Sequence, residues 1–506
     1  MESARPDSIL GPGRRRLTAG MVLVVSFIAF EAIAVATVLP VVVRHLGGIR
    51  LYGWAFSAFM LAQLVGIVVA GPLVDRIGML RPTVVAVVLF SAGLVIDGAA
   101  PSMVVLVVGR VVQGAGAGVL VVALNVLVGR GYPPALRPRA YAAMSTAWVI
   151  PGVVGPAVAG VVAEDLSWRV VFLGIIPATL AAAGIALPAI ARADAAPADA
   201  APADEAARAD DVVTSAVPTD ASAQKKQETR DRPAGIGVAV ALAGGTALVI
   251  ESLSARRAAL SPLLAVAGLA CVVRALRVVI PRRGPRPPGG GDPRQLGTMV
   301  VAALVNLAFF SAEAFLPLSL VSLHHRSVTE AGVVLTVAAL TWTAGSWVQA
   351  RYVSVVGPRR LCAMGLGLVA LGIGGVFSLD WATTAWWVGF VAWGVAGAGM
   401  GLSYATTTLV VLSSAGAGRQ GGPIATMQVL VTLGVAFGAG VGGAALALSL
   451  ALGHGRAPGL RALDAAAVAA AVVGLALTVT IPRVVPTGAT APDPEASGGR
   501  MVETAP

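Results

Sequence analysis

The sequence predicts an all-α, polytopic membrane protein of fourteen crossings, built as two related six-helix halves with two extra helices between them. Three observations predict it. The 506 residues are 57% hydrophobic and only 12% charged, where a soluble domain carries about 25% charge. Apolar runs of about twenty residues, the length that spans a bilayer core, recur along the chain. Short stretches of one half reappear in the other at nearly constant offsets.

In chain order, residues 1–18 form a tail carrying Arg14, Arg15 and Arg16. The first bundle, 19–193, holds six apolar runs at roughly 19–43, 53–73, 82–100, 103–129, 139–162 and 170–190. No signal peptide is read, because the first run is long, lacks a cleavage pattern and follows "GRRRL". Residues 194–232 are rich in Ala, Pro and Asp and read as a flexible cytoplasmic linker with too few apolar residues for a core. Two extra runs occupy 233–280, and a Pro/Gly/Arg-rich cytoplasmic loop follows at 281–295. The second bundle, 296–482, has runs near 296–322, 331–350, 361–379, 385–412, 421–449 and 461–482. The polar tail 483–506 reads as disordered.

The net charge of +11 comes almost wholly from Arg at the ends of apolar runs, a membrane pattern rather than a nucleic-acid one. With fourteen crossings, one side collects about twice as many short-loop Arg residues as the other. That side includes Arg76, Arg130, Arg283 and Arg360. Both termini are therefore expected in the cytoplasm of a cell whose inner membrane holds the chain. Cys271 and Cys362 lie inside apolar runs and read as packing residues, not a disulfide or metal pair.

The repeat is seen in several places. "QGAGAGVL" at 113–120 aligns with "AGAGMGLS" at 396–403, offset 283, which also lays Gly155 on Gly438 and Gly160 on Gly443. Offset 282 lays Glu31 on Glu313, and offset 279 lays Gly78 on Gly357 and Arg81 on Arg360. Gly and Ala matches are cheap in so biased a chain; similar offsets in corresponding helices carry the argument. Two repeated halves suggest a transporter whose site lies at the repeat interface near the midplane.

Between the second and third runs stands "GPLVDRIGMLRP", 71–82. So short a hinge makes the two helices antiparallel neighbours. Gly71 and Gly78 permit close approach and unusual turns, while Pro72 and Pro82 stop and start helices. Asp75 sits where it could meet Arg130 or the positive N-terminus of the run beginning at 421. The bland alternative is that Arg76 and Arg81 only set topology and Asp75 only caps a helix.

These motifs resemble the major facilitator superfamily, and within it the fourteen-helix drug–proton antiporters. "GPLVDRIGMLRP" looks like the loop between helices 2 and 3. "GRVVQGAGAG" at 109–118 looks like the helix-4 motif, with Arg110, Gln113 and Gly114. "PGVVGPAVAG" at 151–160 looks like the helix-5 antiporter motif, with Pro151, Gly152, Gly155, Pro156 and Gly160. The start of helix 6 is similar in "SWRVVF" at 167–172. The resemblance implies that Gly71, Asp75, Arg76, Gly78, Arg81 and Arg130 form a latch holding the halves together on the cytoplasmic side. There are departures: Pro151 and Ala159 replace motif glycines, Ser354 stands in Asp75's place in the second half, and Trp393 in Arg110's.

Glu31 lies mid-run, where a carboxylate costs about 3 kcal/mol on insertion scales. Low dielectric favours its neutral form, the property a proton carrier needs. Glu313 occupies the matching place, so the two are expected to face a central cavity. The other reading for each is a permanently neutral Glu bonded to a neighbouring helix. Arg110 reads either as a structural ion pair or as a group that tunes Glu31. Asp97, Glu251, Asp380 and Asp464 lie near run ends and are expected to meet water. His324 and His325 are expected in a solvated outer loop. Gln113, Trp148, Asn306, Trp342 and Trp393 are the candidate cavity residues, and no metal site is read. "GAGAG" lacks the Lys-Ser/Thr ending of a phosphate loop and reads as close helix packing.

The expected function is proton-driven export of a small apolar or cationic molecule by alternating access. It would need no cofactor and could work as a monomer, with lipid and protons as its partners and no nucleic acid. A same-fold symporter or importer is the nearer alternative. A non-transporting membrane sensor or scaffold is the more distant one, and it has no need of midplane carboxylates. No nucleophile or ATP-binding constellation points to an enzyme.

Overall fold

A computed structural model of the chain describes residues 8–11, 14–133, 136–195, 221–254, 261–279, 293–381, 383–414 and 421–484. Regular structure among them is helical. The first half comprises α1 (Arg15–Leu46), α2 (Tyr52–Ile77), α3 (Leu80–Gly98), α4 (Met103–Gly131), α5 (Arg137–Thr146), α6 (Val149–Val162) and α7 (Trp168–Ala195). Between the halves lie α8 (Ala221–Ser254) and α9 (Ser261–Val279). The second half comprises α10 (Pro293–Leu323), α11 (Val328–Val356), α12 (Pro358–Ser378), α13 (Val388–Ser414), α14 (Gly421–Ala451) and α15 (Ala457–Leu477).

Eleven helical stretches among the described residues are long and apolar enough to cross a membrane, and Val149–Arg192 counts as one of them. That stretch doubles back. α6 climbs beside α1, with Ala147 bonded to Ser26 and Gly155 against Phe30. α7 then descends, with Leu173 against Gly98 at the far end of α3 and Ala186 against Gly20 near the start of α1. The reversal is a π-helical turn, Ala163–Ser167. α8 contributes a shorter apolar stretch, Gly237–Leu253.

Two differences from expectation have local causes. α8 begins at Ala221 instead of near 233, through "AQKKQETR", a run of good helix formers. The expected linker otherwise lies at 196–220, outside the described residues. The run expected at 139–162 is broken at Ala147–Trp148. Pro151 has no N–H to give the Ala147 carbonyl four residues back, so the helix cannot continue through it. The Ser26 hydroxyl donates to that carbonyl instead, at 3.0 Å.

α1 packs on α6 and α7, α4 on α2 and α3, α13 on α11 and α12, and α10 on α14 and α15. α8 and α9 pair, and α8 lies against α2 and α14, bridging the halves through Leu61, Leu64, Leu242 and Leu433. The internal repeat is visible in the backbone. Gly78 and Gly357 both end their helices, with φ +80° and +86°, a region that favours glycine. Gly71, by contrast, has nothing within 4 Å of a Cβ added there, so it serves no close approach.

The halves meet at the end away from the termini. Tyr52 donates to the Ala314 carbonyl at 3.0 Å and Ser57 to the Ala436 carbonyl at 2.8 Å. Thr336 donates to the Val153 carbonyl at 3.0 Å. Glu164, in the π turn, accepts from the backbone N–H groups of Val328 and Thr329 and, at 2.7 Å, from the Thr329 hydroxyl. The far end is therefore closed.

Candidate functional site: a buried ion pair in the first half

Glu31 lies midway along α1 and is 0% exposed. Arg110, on α4, is 2% exposed and pairs with it through Nη1. The same nitrogen donates to Gln113 Oε1, one helical turn further along α4. Arg110 Nε donates to the Ala55 carbonyl of α2 at 3.0 Å, and its Cζ lies 4.2 Å from the Phe59 ring centroid. "GAGAG" makes this reach possible: a Cβ on Gly114 would sit 2.3 Å from the Phe59 carbonyl oxygen, so α2 and α4 approach backbone to backbone. Glu31 Oε2 and Gln113 Nε2 are buried without a hydrogen-bond partner among the described residues. A buried ion pair is costly to desolvate, and one held in a membrane span marks a functional site.

The second half is built differently at the matching place. Trp393 occupies Arg110's repeat position, is 0% exposed and stacks on Phe309 at 4.6 Å. Phe309 also meets Trp342 edge-on at 5.6 Å, and Trp342 meets Tyr404 at 6.3 Å. An aromatic cluster thus replaces the ionic one. Glu313 is half-buried, with Oε2 unpartnered.

The five candidate cavity residues do not converge. Gln113 belongs to the ionic cluster, and Trp393 and Trp342 to the aromatic one. Asn306 turns its amide onto the Ala302 carbonyl of its own helix, at 2.7 Å. Trp148 is exposed at the α5–α6 break. The motif helix does hold the interface: Pro151, Gly152, Gly155, Pro156 and Gly160 are all buried in α6, which packs on α1 and α11.

At the hinge, Arg76 and Arg81 are exposed. The side chains of Asp75 and Arg130, the proposed latch partners, lie outside the described residues. The hinge is met by an acid expected in the linker. Asp194, at the end of α7, accepts from the Leu80 N–H at 2.8 Å and lies against Gly78.

Three acids expected in water are buried instead: Asp97, Asp380 and Asp464 are 0%, 1% and 4% exposed. Length along a helix says how near its end a residue lies, not whether a neighbouring helix covers it. Asp97 is covered by α4, where a Cβ on Gly109 would fall 2.1 Å from its Oδ1. Asp380 follows α12 and receives a hydrogen bond from Ser319 at 3.1 Å. Burial pushes its carboxyl up to about 7, against the opposing effects of the Ser319 bond and Arg461. Glu251 is exposed, as expected. His325 is exposed, whereas His324 is half-buried and bonded to the Leu379 carbonyl at 2.6 Å.

Residues 21–439 match the family model described as Major Facilitator Superfamily. A stretch of 177 residues is 27% identical to a multidrug transporter protein of Bacillus subtilis, covering 34% of this chain and 33% of that one. A stretch of 152 residues is 28% identical to a probable multidrug-efflux transporter of Mycobacterium tuberculosis, covering 30% and 32%. The alignments thus span about a third of the length of these relatives. A peptide transporter solved with sulfate superposes over 96% of this chain and 97% of its own, with TM-score 0.63 and 14% identity. A D-xylose–proton symporter superposes over 94% and 99%, with TM-score 0.60 and 13% identity. Such likenesses establish the fold. With the family model spanning most of the chain, the protein belongs to the Major Facilitator Superfamily, a family of membrane transporters and not of enzymes.

Proposed function

We propose that this chain is a proton-coupled exporter of small apolar or cationic molecules, crossing the inner membrane fourteen times with both termini cytoplasmic. The observation that carries the reading is the buried Glu31–Arg110 pair. A carboxylate in the dry core of one half, neutralised by one guanidinium, binds a proton only by giving up that ion pair. Proton uptake and rearrangement of α1 against α4 are then one event. The closed far end corresponds to an inward-facing state, from which the proton leaves to the cytoplasm. Inward proton flow supplies about 2.3 kcal/mol per charge per 100 mV. The Phe309–Trp342–Trp393 cluster supports an apolar cargo, and relatives named as multidrug transporters support export. The 71–82 hinge acts as the cytoplasmic latch in the opposite state, with Asp75 and Arg130 as its charged partners. The chain works as a monomer without a cofactor.

The test is pH-gradient-driven export from proteoliposomes by Glu31→Gln, with ethidium as a cationic probe and chloramphenicol as a neutral one. Uphill export should be lost while downhill exchange of the neutral probe persists. Wild-type uphill export by the variant would remove Glu31 from the proton path.

A further inference from the structure

Asp97 is one of three buried acids that proton coupling through Glu31 leaves without a role. It stands on α3, one residue before the helix end, with 0% exposure and neither carboxyl oxygen hydrogen-bonded among the described residues. Its carboxyl is packed on Gly109, the residue beside Arg110, and Arg110 is paired with Glu31. The elements around it offer few other charges. α2 presents the Ala55 carbonyl and the Phe59 ring to Arg110. α7 brings Arg169, which is turned onto the Ala100 carbonyl at 3.3 Å and the Trp168 ring at 4.4 Å.

We propose that Asp97, Glu31 and Arg110 form one proton-binding triad that holds a single exchangeable proton shared between two carboxyls. The argument is charge balance. With every group ionised the triad carries one net negative charge in a sealed, low-dielectric space, and an uncompensated buried charge is strongly disfavoured. One proton makes it neutral. The proton's position then decides which acid neutralises Arg110, so the two titrate as a pair and not as independent sites. When Glu31 takes the proton, Asp97 becomes the counter-ion of Arg110, and the guanidinium is never left bare. When Glu31 gives the proton up toward the cytoplasm, a second proton must enter from the far side before the triad is sealed again. Asp97 thus holds the coupled proton in alternation with Glu31. The repeat sharpens the contrast. The Asp97 mate at offset 283 is Asp380, but Trp393 stands at the repeat position of the guanidinium, and the arginine beside Asp380 is Arg461, which donates to its backbone carbonyl at 3.3 Å.

The inference deepens the proton-coupled reading and rests on it for its role in transport, but its test does not. Infrared spectra of the reconstituted protein at neutral pH report protonated carboxyl groups directly. Asp97→Asn should lose one protonated-carboxyl band, because Glu31 is left as the sole and permanently ionised partner of Arg110. Glu31→Gln should lose one band for the converse reason. The charge-neutral triple variant Asp97→Asn, Glu31→Gln, Arg110→Gln should lose one and no more, and Asp97→Glu should keep the band. No band lost in Asp97→Asn or in Glu31→Gln, or two lost in the triple variant, overturns the triad. Ethidium-induced proton release is read on the same samples. If the bands behave as stated and no proton is released, the triad stands and the antiport reading falls. If protons are released and the bands disagree, the triad falls alone.

Discussion

Glu164→Ala tests how the far end is held shut. The first turn of α11 has its cap divided between the halves. Ser327 accepts from the Glu330 N–H at 3.0 Å, and Glu330 accepts from the Ser327 N–H at 2.9 Å, completing a capping box. The Val328 and Thr329 N–H groups are left for Glu164 of the other half, which also takes the Thr329 hydroxyl. A net hydrogen bond contributes about 0.5–1.5 kcal/mol, and Glu164 is exposed, so the clasp is worth about 1–2 kcal/mol in total. In a far-end-open state those groups are solvated, and the whole loss falls on the closed state. The open population should therefore rise about 5- to 30-fold. Spin labels at Arg50→Cys and His454→Cys, in a Cys271→Ser, Cys362→Ala background, read it as growth of a longer distance by pulsed electron resonance. An unchanged distance distribution would show that Glu164 is a bystander to closure.

Four other outcomes are expected. Ser26→Ala strands the Ala147 carbonyl and should cost about 1 kcal/mol, read as a lower melting temperature, while Pro151→Ala with Ser26→Ala should recover most of it. Gly78→Ala and Gly357→Ala should each cost about 1–2 kcal/mol through the positive φ, with Gly71→Ala near neutral; equal melting temperatures for all three would refute this. Trp393→Ala removes a fully buried ring and should cost about 3–5 kcal/mol, whereas Trp347→Ala, at an exposed site, should not. Asp380 is raised by burial to about 7, so the native state holds its proton more tightly than the unfolded chain, and stability falls as pH rises from the usual carboxylate range through about 7. Asp380→Asn should melt higher than wild type at pH about 8 and lose that advantage toward pH about 4; a pH-independent difference would contradict it.

Much of the architecture could be read from the sequence because a membrane helix announces itself by length and hydropathy alone. The repeat offset of 279 paired two glycines that share a positive φ. Arg110 stood out as a basic residue within an apolar run, and its partner Glu31 as a mid-run acid. What escaped depended on neighbours. Nothing local says that α4 covers Asp97 or that Ser319 reaches Asp380, although offset 283 pairs those two acids and could have drawn notice to them. The α5–α6 break was readable in principle, since Pro151 removes the bond that residue 147 needs. The π turn carrying Glu164 joins two runs whose sequence shows no reason for it to clasp the opposite half.

The central claim is that a proton moves against the cargo through Glu31. The most direct measurement is fluorescence of a pH-sensitive dye in everted membrane vesicles carrying the protein and energised to an acidic interior. On addition of ethidium, wild-type vesicles should release protons outward as the dye is taken in, and Glu31→Gln vesicles of equal expression should not. Proton release undiminished in Glu31→Gln, or proton movement in the same direction as ethidium, would contradict the account.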